Sequence, residues 1–484
     1  MKKTNLIKIL KTFSKEEMKM FGKFISSPYH NNGKNCSPLF KQLQKFHPDF
    51  VSDKLSKENI YKKLYPGKKY NKQVLWNLTS AAEKLTKEFL TQIALRKNKI
   101  TKTGLILSEL GNRKLLNDYP KTLNEMEKIL EKSGIDYDYF ENKGHLENYR
   151  QEYFHLIDKI KPMSDSKLKA SEYQILLFLR MTVGGLNDMN LLSESYNYKF
   201  DVNIPLEFAK NLDLKCIVEY AHNNKFEYTF LIEIYYHTLM LLLEPKQTVH
   251  LDKLRELYGL HYNKFTKSEK RNMMHWIANY CVDKAEFDDL KYKRITFELN
   301  EFRLKEGLAF YPENQIPKAI YIQILNAALA VNETEWAVNF IKNYTTKLQP
   351  LIRDSMECMA YAFLYFHTKE YRKVLNYLNK VELSDIQDKF FARTLTARSY
   401  YELHETEPLL SYIDSSRQFL MKNPLVTNLS RVYIQNFLKY IKKIVFIREN
   451  KTYDKIYILR SEIEKNNIIS NKKWLLEKLG ELEK

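Results

Sequence analysis

The chain has 484 residues, of which 44% are hydrophobic and 28% charged. That is too long for a single compact core and too apolar for wholesale disorder, so it suggests roughly two to three domains or one elongated repeat array. Glycine (12) and proline (13) are scarce, which argues against a β-rich or Gly-loop-rich enzyme and for helices joined by short connections. The formal net charge is +19, yet residues 1–104 hold 23 Lys plus Arg against 7 Asp plus Glu. A coding bias toward lysine (62 Lys to 16 Arg) would act along the whole chain and would not thin out acids in one module. The asymmetry points to an acidic partner.

The first helix is expected around Leu6, Ile7 and Leu10. Ser14 and Glu17 form a capping-box pattern, with Phe21, Phe24 and Ile25 continuing the second helix until Ser27-Pro28. A polar loop follows, then a third helix from about Pro38 to Phe46. Ser56 opens a fourth helix, with Ile60, Tyr61 and Leu64 on one face, which ends at the Pro66-Gly67 turn. A long helix is predicted from Asn71 to Arg96, with Val74, Leu75, Leu78, Ala81, Ala82, Leu85 and Phe89 as its apolar stripe. Thr101 to Leu105 reads as a junction, giving a basic helical module over 1–104.

From 105 to 265 the helical pattern is irregular. The candidates are Leu115 to Leu130, Tyr149 to Ile160 and Lys167 to Met181, and Gly184-Gly185 and Pro205 mark a break. The apolar run Phe230 to Leu243 carries Glu233 and His237 and is too short and too polar to span a bilayer. No membrane association is expected.

From 266 to 484 the pattern sharpens into a repeat of helix, short turn and helix. The turns are Asn332-Glu333-Thr334, Thr368-Lys369-Glu370 and His404-Glu405-Thr406. The residues that seat the second helices, Ala337, Val374 and Leu409, are spaced by 37 and 35. Ala362 and Ala397 stand twelve positions before Val374 and Leu409, Tyr371 precedes Val374 by three, and Pro350 closes a unit. This pattern resembles the tetratricopeptide repeat over about 330 to 425. Weaker copies at Ala285-Glu286-Phe287 with Leu290 and at Lys451-Thr452-Tyr453 with Ile456 extend it to about 270 to 460. Several consensus glycines and alanines are absent, and a generic α-solenoid is the alternative. The resemblance implies stacked hairpins with a long concave protein-binding face.

Little in the chain points to chemistry. Neither Gly33-Lys34 nor Gly67-Lys68 continues into a phosphate loop, no H-E-x-x-H occurs, and no cofactor or metal is expected. Glu233 and His237 would share a helix face, more as a satisfied pair than as ligands. Cys36, Cys216, Cys281 and Cys358 lack any C-x-x-C pairing and read as buried thiols of a reducing, cytoplasmic compartment.

Two surfaces are candidates. Lys62, Lys63, Lys68, Lys69 and Lys72 cluster around Pro66-Gly67 with Tyr61, Tyr65, Tyr70 and Trp76 interleaved, in the outline of a helix-turn-helix. Tyr61 and Trp76 also fit apolar stripes, which makes them core candidates. Residues 56–90 look like the winged-helix domain of bacterial activators that carry a tetratricopeptide-like domain, although no β-hairpin wing follows. Arg96 is the single arginine of the module, which favours backbone contact over base reading. In the repeats, Phe391, Thr394, Arg398 and Tyr401, joined by Phe363 and His367, would line a groove for a peptide carboxylate or pack between repeats. The expectation is an all-α protein, a non-catalytic scaffold that binds another protein through an α-solenoid of tetratricopeptide-like hairpins. The alternative is a nucleic-acid-associated regulatory protein acting through its basic module.

Overall fold

The structure is a computed structural model that describes all residues except 31–32, 197–198, 286–289, 312–313, 381–382, 384 and 484. Among the described residues there is no strand, only helices and an isolated bridge between Tyr311 and Gln315, so the protein is all-α. Backbone contacts divide it into two compact units, Met1–Thr182 and Val183–Lys484.

The first unit begins with α1 (Asn5–Leu10), α2 (Lys15–Ile25), α3 (Ser37–Gln44), α4 (Lys57–Leu64) and α5 (Lys72–Lys97). Local chemistry sets their ends. The Glu17 amide donates to Ser14 Oγ at 3.0 Å and the Ser14 amide to Glu17 Oε2 at 2.9 Å, the reciprocal capping box. Ser56 and Asn71 accept from the amides of Asn59 and Val74, both at 3.1 Å, to start α4 and α5. Helices α1 to α4 all pack on α5. Phe21 sits between Phe40 (4.9 Å) and Phe89 (5.2 Å), with Leu75, Leu78, Ala82 and Leu85 of α5 beneath them.

Next come α6 (Lys99–Asn112), α7 (Tyr119–Glu131) and α8 (Tyr137–Leu156), which pack on one another around Leu107, Tyr119, Met126 and Leu146. The junction expected at Thr101–Leu105 lies inside α6. The break is at Asn98, whose side chain accepts from the Thr101 amide at 3.0 Å and restarts the helix at once. The helix expected from Leu115 starts at Tyr119, with Pro120 in its first turn, and the one expected from Tyr149 starts at Tyr137.

The segment expected to break at Gly184-Gly185 is instead one helix, α9 (Ile160–Tyr196). Two glycines cost roughly 1 kcal/mol each in a helix. Burial of Val183 and Leu186 on either side offsets that cost. By length and composition Ile160–Ser193 is apolar enough to cross a bilayer, a signal that a core helix of a soluble protein also gives, and 28% of the window is buried.

The second unit continues with α10 (Ile204–Asn211), α11 (Leu214–Asn223), α12 (Thr229–Leu243), α13 (Val249–His261), α14 (Lys267–Ala285), α15 (Leu290–Lys305), α16 (Lys318–Ala330) and α17 (Thr334–Tyr344). It ends with α18 (Arg353–His367), α19 (Tyr371–Leu378), α20 (Ile386–Glu402), α21 (Thr406–Lys422), α22 (Asn428–Asn450), α23 (Ile456–Lys465) and α24 (Lys472–Leu482). From α14 onward each helix packs on its successor, and α16, α18, α20, α22 and α24 also pack in series. The apolar core follows the same progression, with one cluster from Phe297 to Leu383, a small one at Ala362, Val374 and Leu395, and one from Phe390 to Leu479.

The three expected hairpin turns share one geometry. Asn332, Lys369 and His404 are left-handed, at φ 61°, 61° and 57°. The following amide reaches back five residues in each case: Glu333 to Ala328 O (3.0 Å), Glu370 to Tyr365 O (2.8 Å) and Glu405 to Tyr400 O (3.0 Å). This is the six-to-one bond of a Schellman ending. Lys451 (φ 53°) repeats it, with the Thr452 amide donating to Ile447 O at 3.2 Å. Ala337, Val374, Leu409, Ala362 and Ala397 are all fully buried. The copy expected at Glu286-Phe287 lies outside the described residues. Of the cysteines, Cys36 and Cys281 are buried and Cys358 half-buried; Cys216 is exposed, which corrects its reading as a buried thiol.

Candidate functional site

Because α1 to α4 cover one side of α5, its opposite side faces solvent. Lys72, Gln73, Trp76, Lys84 and Lys87 lie there, and Trp76 is 62% exposed. This corrects its assignment to the apolar stripe. It stands one residue off the register of Leu75, Leu78, Ala82 and Leu85, and in a helix that one step turns it about 100° away from the core. Lys62, Lys63, Lys68, Lys69 and Lys72 occupy the last turn of α4, the connecting turn and the first turn of α5. All five are exposed, and among the described residues none has a carboxylate at ion-pair distance. Gly67 (φ 78°) makes the tight connection. Tyr61 is buried, with Tyr65 at 4.9 Å and Tyr70 at 5.4 Å, so these rings support the turn and Trp76 alone of the four projects. The Lys68 ammonium lies 5.9 Å from the Tyr65 ring.

In the second unit, Arg398 and Tyr401 are brought together, but not on an open groove. The C-terminal helix α24 covers them. Arg398 is sandwiched between Phe366 (4.1 Å) and Trp474 (5.3 Å) and donates to Asn471 Oδ1 at 3.1 Å, leaving its Nε without a partner. Burial pulls its guanidinium down to about 10. Tyr401 is buried under Trp474 (5.2 Å, edge-on) and the Arg448 guanidinium (4.7 Å), and burial pushes its hydroxyl up to about 12. Trp474 Nε1 donates to Glu402 Oε1 at 2.9 Å, and Lys478 bridges Glu402 (2.9 Å) and Glu481 (2.7 Å). Burial alone would lower the Lys478 ammonium, but its bonds to Glu481 and Glu402 outweigh that and raise it. His367 is half-buried on α18, and its imidazole is lowered by burial. Thr394 is buried while Phe391 is 46% exposed and meets Phe363 edge-on at 6.3 Å. Arg398, Tyr401 and Thr394 thus pack between helices, the second of the two roles their pattern allows, while Phe391 and the half-buried His367 keep exposed surface.

Glu233 and His237 share α12 but find different partners. His222 Nε2 meets Glu233 at 2.9 Å, and His237 Nδ1 meets His250 Nδ1 at 2.8 Å. Burial first, then the neighbouring His250, lowers His237 to about 4. Among the described residues no group of three or more His, Cys, Asp or Glu is placed to hold a metal.

A cavity of about 280 Å³ lies between α12, α14 and the last third of α9. Asn187, Asn190 and Asn279 line it with Trp276, Tyr280 and Lys284. Asn187 Nδ2 is tied to Val183 O (2.9 Å), and the Tyr280 hydroxyl is tied to Pro245 O (2.8 Å). Carboxamides offer a donor and an acceptor together, Lys284 adds a cation beside them, and Leu191, Leu241, Leu242 and Pro245 supply apolar wall, so the cavity can hold a chain with both polar and apolar groups. Sequence reasoning missed it because its walls come from helices some ninety residues apart, and isolated asparagines carry no pattern.

No protein-family profile, no curated protein and no solved structure matches this chain.

Proposed function

We propose that the protein is a non-catalytic interaction scaffold of the reducing cytoplasm. Residues 266–484, within its second unit, are an α-solenoid of tetratricopeptide-like hairpins that binds another protein. The fully buried seats Ala337, Val374 and Leu409, spaced by 37 and 35 residues, together with the serial packing of α16, α18, α20 and α22, carry this reading. A hairpin of this kind cannot bury its own apolar face, so its neighbours stack and present extended surface for a partner. The strongly shifted groups serve packing: Arg398 and Tyr401 lie under α24, and His237 lies against His250. The partner-facing concavity on this reading is the one lined by Asn187, Asn279 and Lys284.

The test is affinity capture with the full-length protein and with the double variant Asn279→Arg, Lys284→Glu. We expect the variant to keep its helical circular dichroism and lose one or more captured proteins. An identical set of captured proteins overturns the assignment of that concavity.

A second reading has its own observation. The exposed Trp76 among lysines without ion-pair partners favours nucleic acid as the partner of the basic head. A salt titration of DNA and RNA binding tests it: affinity should fall steeply with salt, and no binding at low salt removes it.

A further inference from the structure

We infer that the outer face of α5 binds single-stranded nucleic acid, with Trp76 as the ring on which an unpaired base stacks. This rests on the nucleic-acid reading of the head and specifies the form of its ligand.

An indole that is 62% exposed on a folded helix leaves a large apolar face in water. Around it on the same helix the neighbours are Lys72 four residues before, Gln73 three before, Asn77 next to it, and Ser80 four after. That surround is polar, with an amide pair formed by Gln73 Nε2 and Asn77 Oδ1 at 3.1 Å. A lipid surface would call for several adjacent apolar side chains beside the ring, and only Val74, at 37%, is exposed nearby. A partner with alternating flat apolar faces and negative charges matches better. Single-stranded nucleic acid has that chemistry, since every base has a π-face and every nucleotide a phosphate.

Duplex fits less well. Its base faces are covered by their neighbours, and only edges are offered in the grooves, where bidentate arginine is the usual reader. The head carries its charge as lysine, with Arg96 its single arginine, at the far end of α5. Lysine is a point charge suited to phosphates. Lys62, Lys63, Lys68, Lys69 and Lys72 run from the last turn of α4 to the first turn of α5, leading up to Trp76. The strand would then run along these lysines and lay one base on the indole.

The experiment uses the full-length protein, a labelled oligothymidylate of about 16 nucleotides, and a duplex of the same length. Binding is read by anisotropy across a salt series and by intrinsic tryptophan fluorescence. Trp276 (6%) and Trp474 (7%) are buried and Trp336 is half-buried, so quenching by a stacked base reports on Trp76. The expected result is tighter binding of the single strand, with fluorescence quenching. Trp76→Ala should weaken it roughly ten-fold or more, and Trp76→Tyr should restore most of that loss. The salt slope should stay unchanged in both variants, because stacking adds affinity without neutralising phosphates. The variant Lys68→Gln, Lys69→Gln, Lys72→Gln should flatten the slope by about 0.7 for each phosphate no longer neutralised.

Binding by Trp76→Ala equal to the unaltered protein, with a steep salt slope, overturns the stacking inference and leaves the nucleic-acid reading standing. Equal or tighter binding of duplex overturns the single-strand assignment. No binding of either nucleic acid by the unaltered protein removes both, and a Trp76-dependent association with phosphatidylserine vesicles in that case assigns the face to lipid instead.

Discussion

Burial of individual side chains couples folding to pH. His237 and His275 sit partly buried in α12 and α14, and both are lowered to about 4. For His237 the cause is burial first and His250 second, with Glu233 opposing and Lys253 adding to the lowering. For His275 it is burial, then Arg303 and Arg271. The folded state prefers both rings neutral, while the unfolded chain takes up protons near pH 6.5. Their contribution to stability is therefore complete above about 6.5 and is lost as pH falls toward about 4. Denaturant midpoints over that range should fall with acidification, and the variant His275→Gln should show a shallower fall, provided it folds. An equally steep fall would separate His275 from the effect. Residue-scale features were only partly legible in the sequence. The capping box of Ser14 and Glu17 was legible because its three-residue spacing is its mechanism. The exposure of Trp76 follows from its place one step off the register of Leu75, Leu78, Ala82 and Leu85, but a large aromatic side chain reads as core, and that outweighed the register.

At the scale of elements, the recurrent turn explains why some helix ends could be read and others could not. Glycine is the usual left-handed residue at a helix C-terminus, and its scarcity here hides the signal. Asn332, Lys369, His404 and Lys451 occupy that conformation instead. The hairpins are legible from their short polar turns and from the spacing of small and branched residues such as Ala362 and Val374 behind them, not from glycine. A non-glycine left-handed residue costs roughly 1–2 kcal/mol, so His404→Gly should stabilise the protein by about 1 kcal/mol, read as a raised thermal midpoint. A lowered midpoint would contradict the turn assignment. The last helix is the opposite case, because α24 covers residues that looked like a groove. Trp474 meets Tyr401 across more than seventy residues of chain, and no local pattern announces such a contact. Trp474 is 7% exposed and closes on Tyr401, Phe437 and Arg398 together. Trp474→Ala should therefore cost about 3–5 kcal/mol in denaturant unfolding. A loss within the error of the measurement would mean that α24 is a loose appendage.

At the scale of the whole molecule, the all-α class was legible from composition alone, since few glycines and prolines leave little room for tight turns. The division of the chain was not: α6 runs through the expected boundary near residue 104, and the packing divides the chain at Thr182 instead. The charge contrast was legible and bears on function. The head exposes lysines that lack ion-pair partners, while the hairpin unit pairs many of its charges, as in Arg294 with Glu333 (2.7 Å) and Lys318 with Asp388 (3.0 Å). Binding by the head should therefore respond strongly to salt, and binding by the hairpins weakly. Protein binding by the second unit is placed at the concavity lined by Asn187, Asn279 and Lys284. The direct measurement is a calorimetric titration of a protein captured by the full chain, against the unaltered protein and against Asn279→Arg, Lys284→Glu. The expected affinity is at least about ten-fold weaker for the variant, a change of about 1.4 kcal/mol, with little dependence on salt. Equal affinities would contradict it.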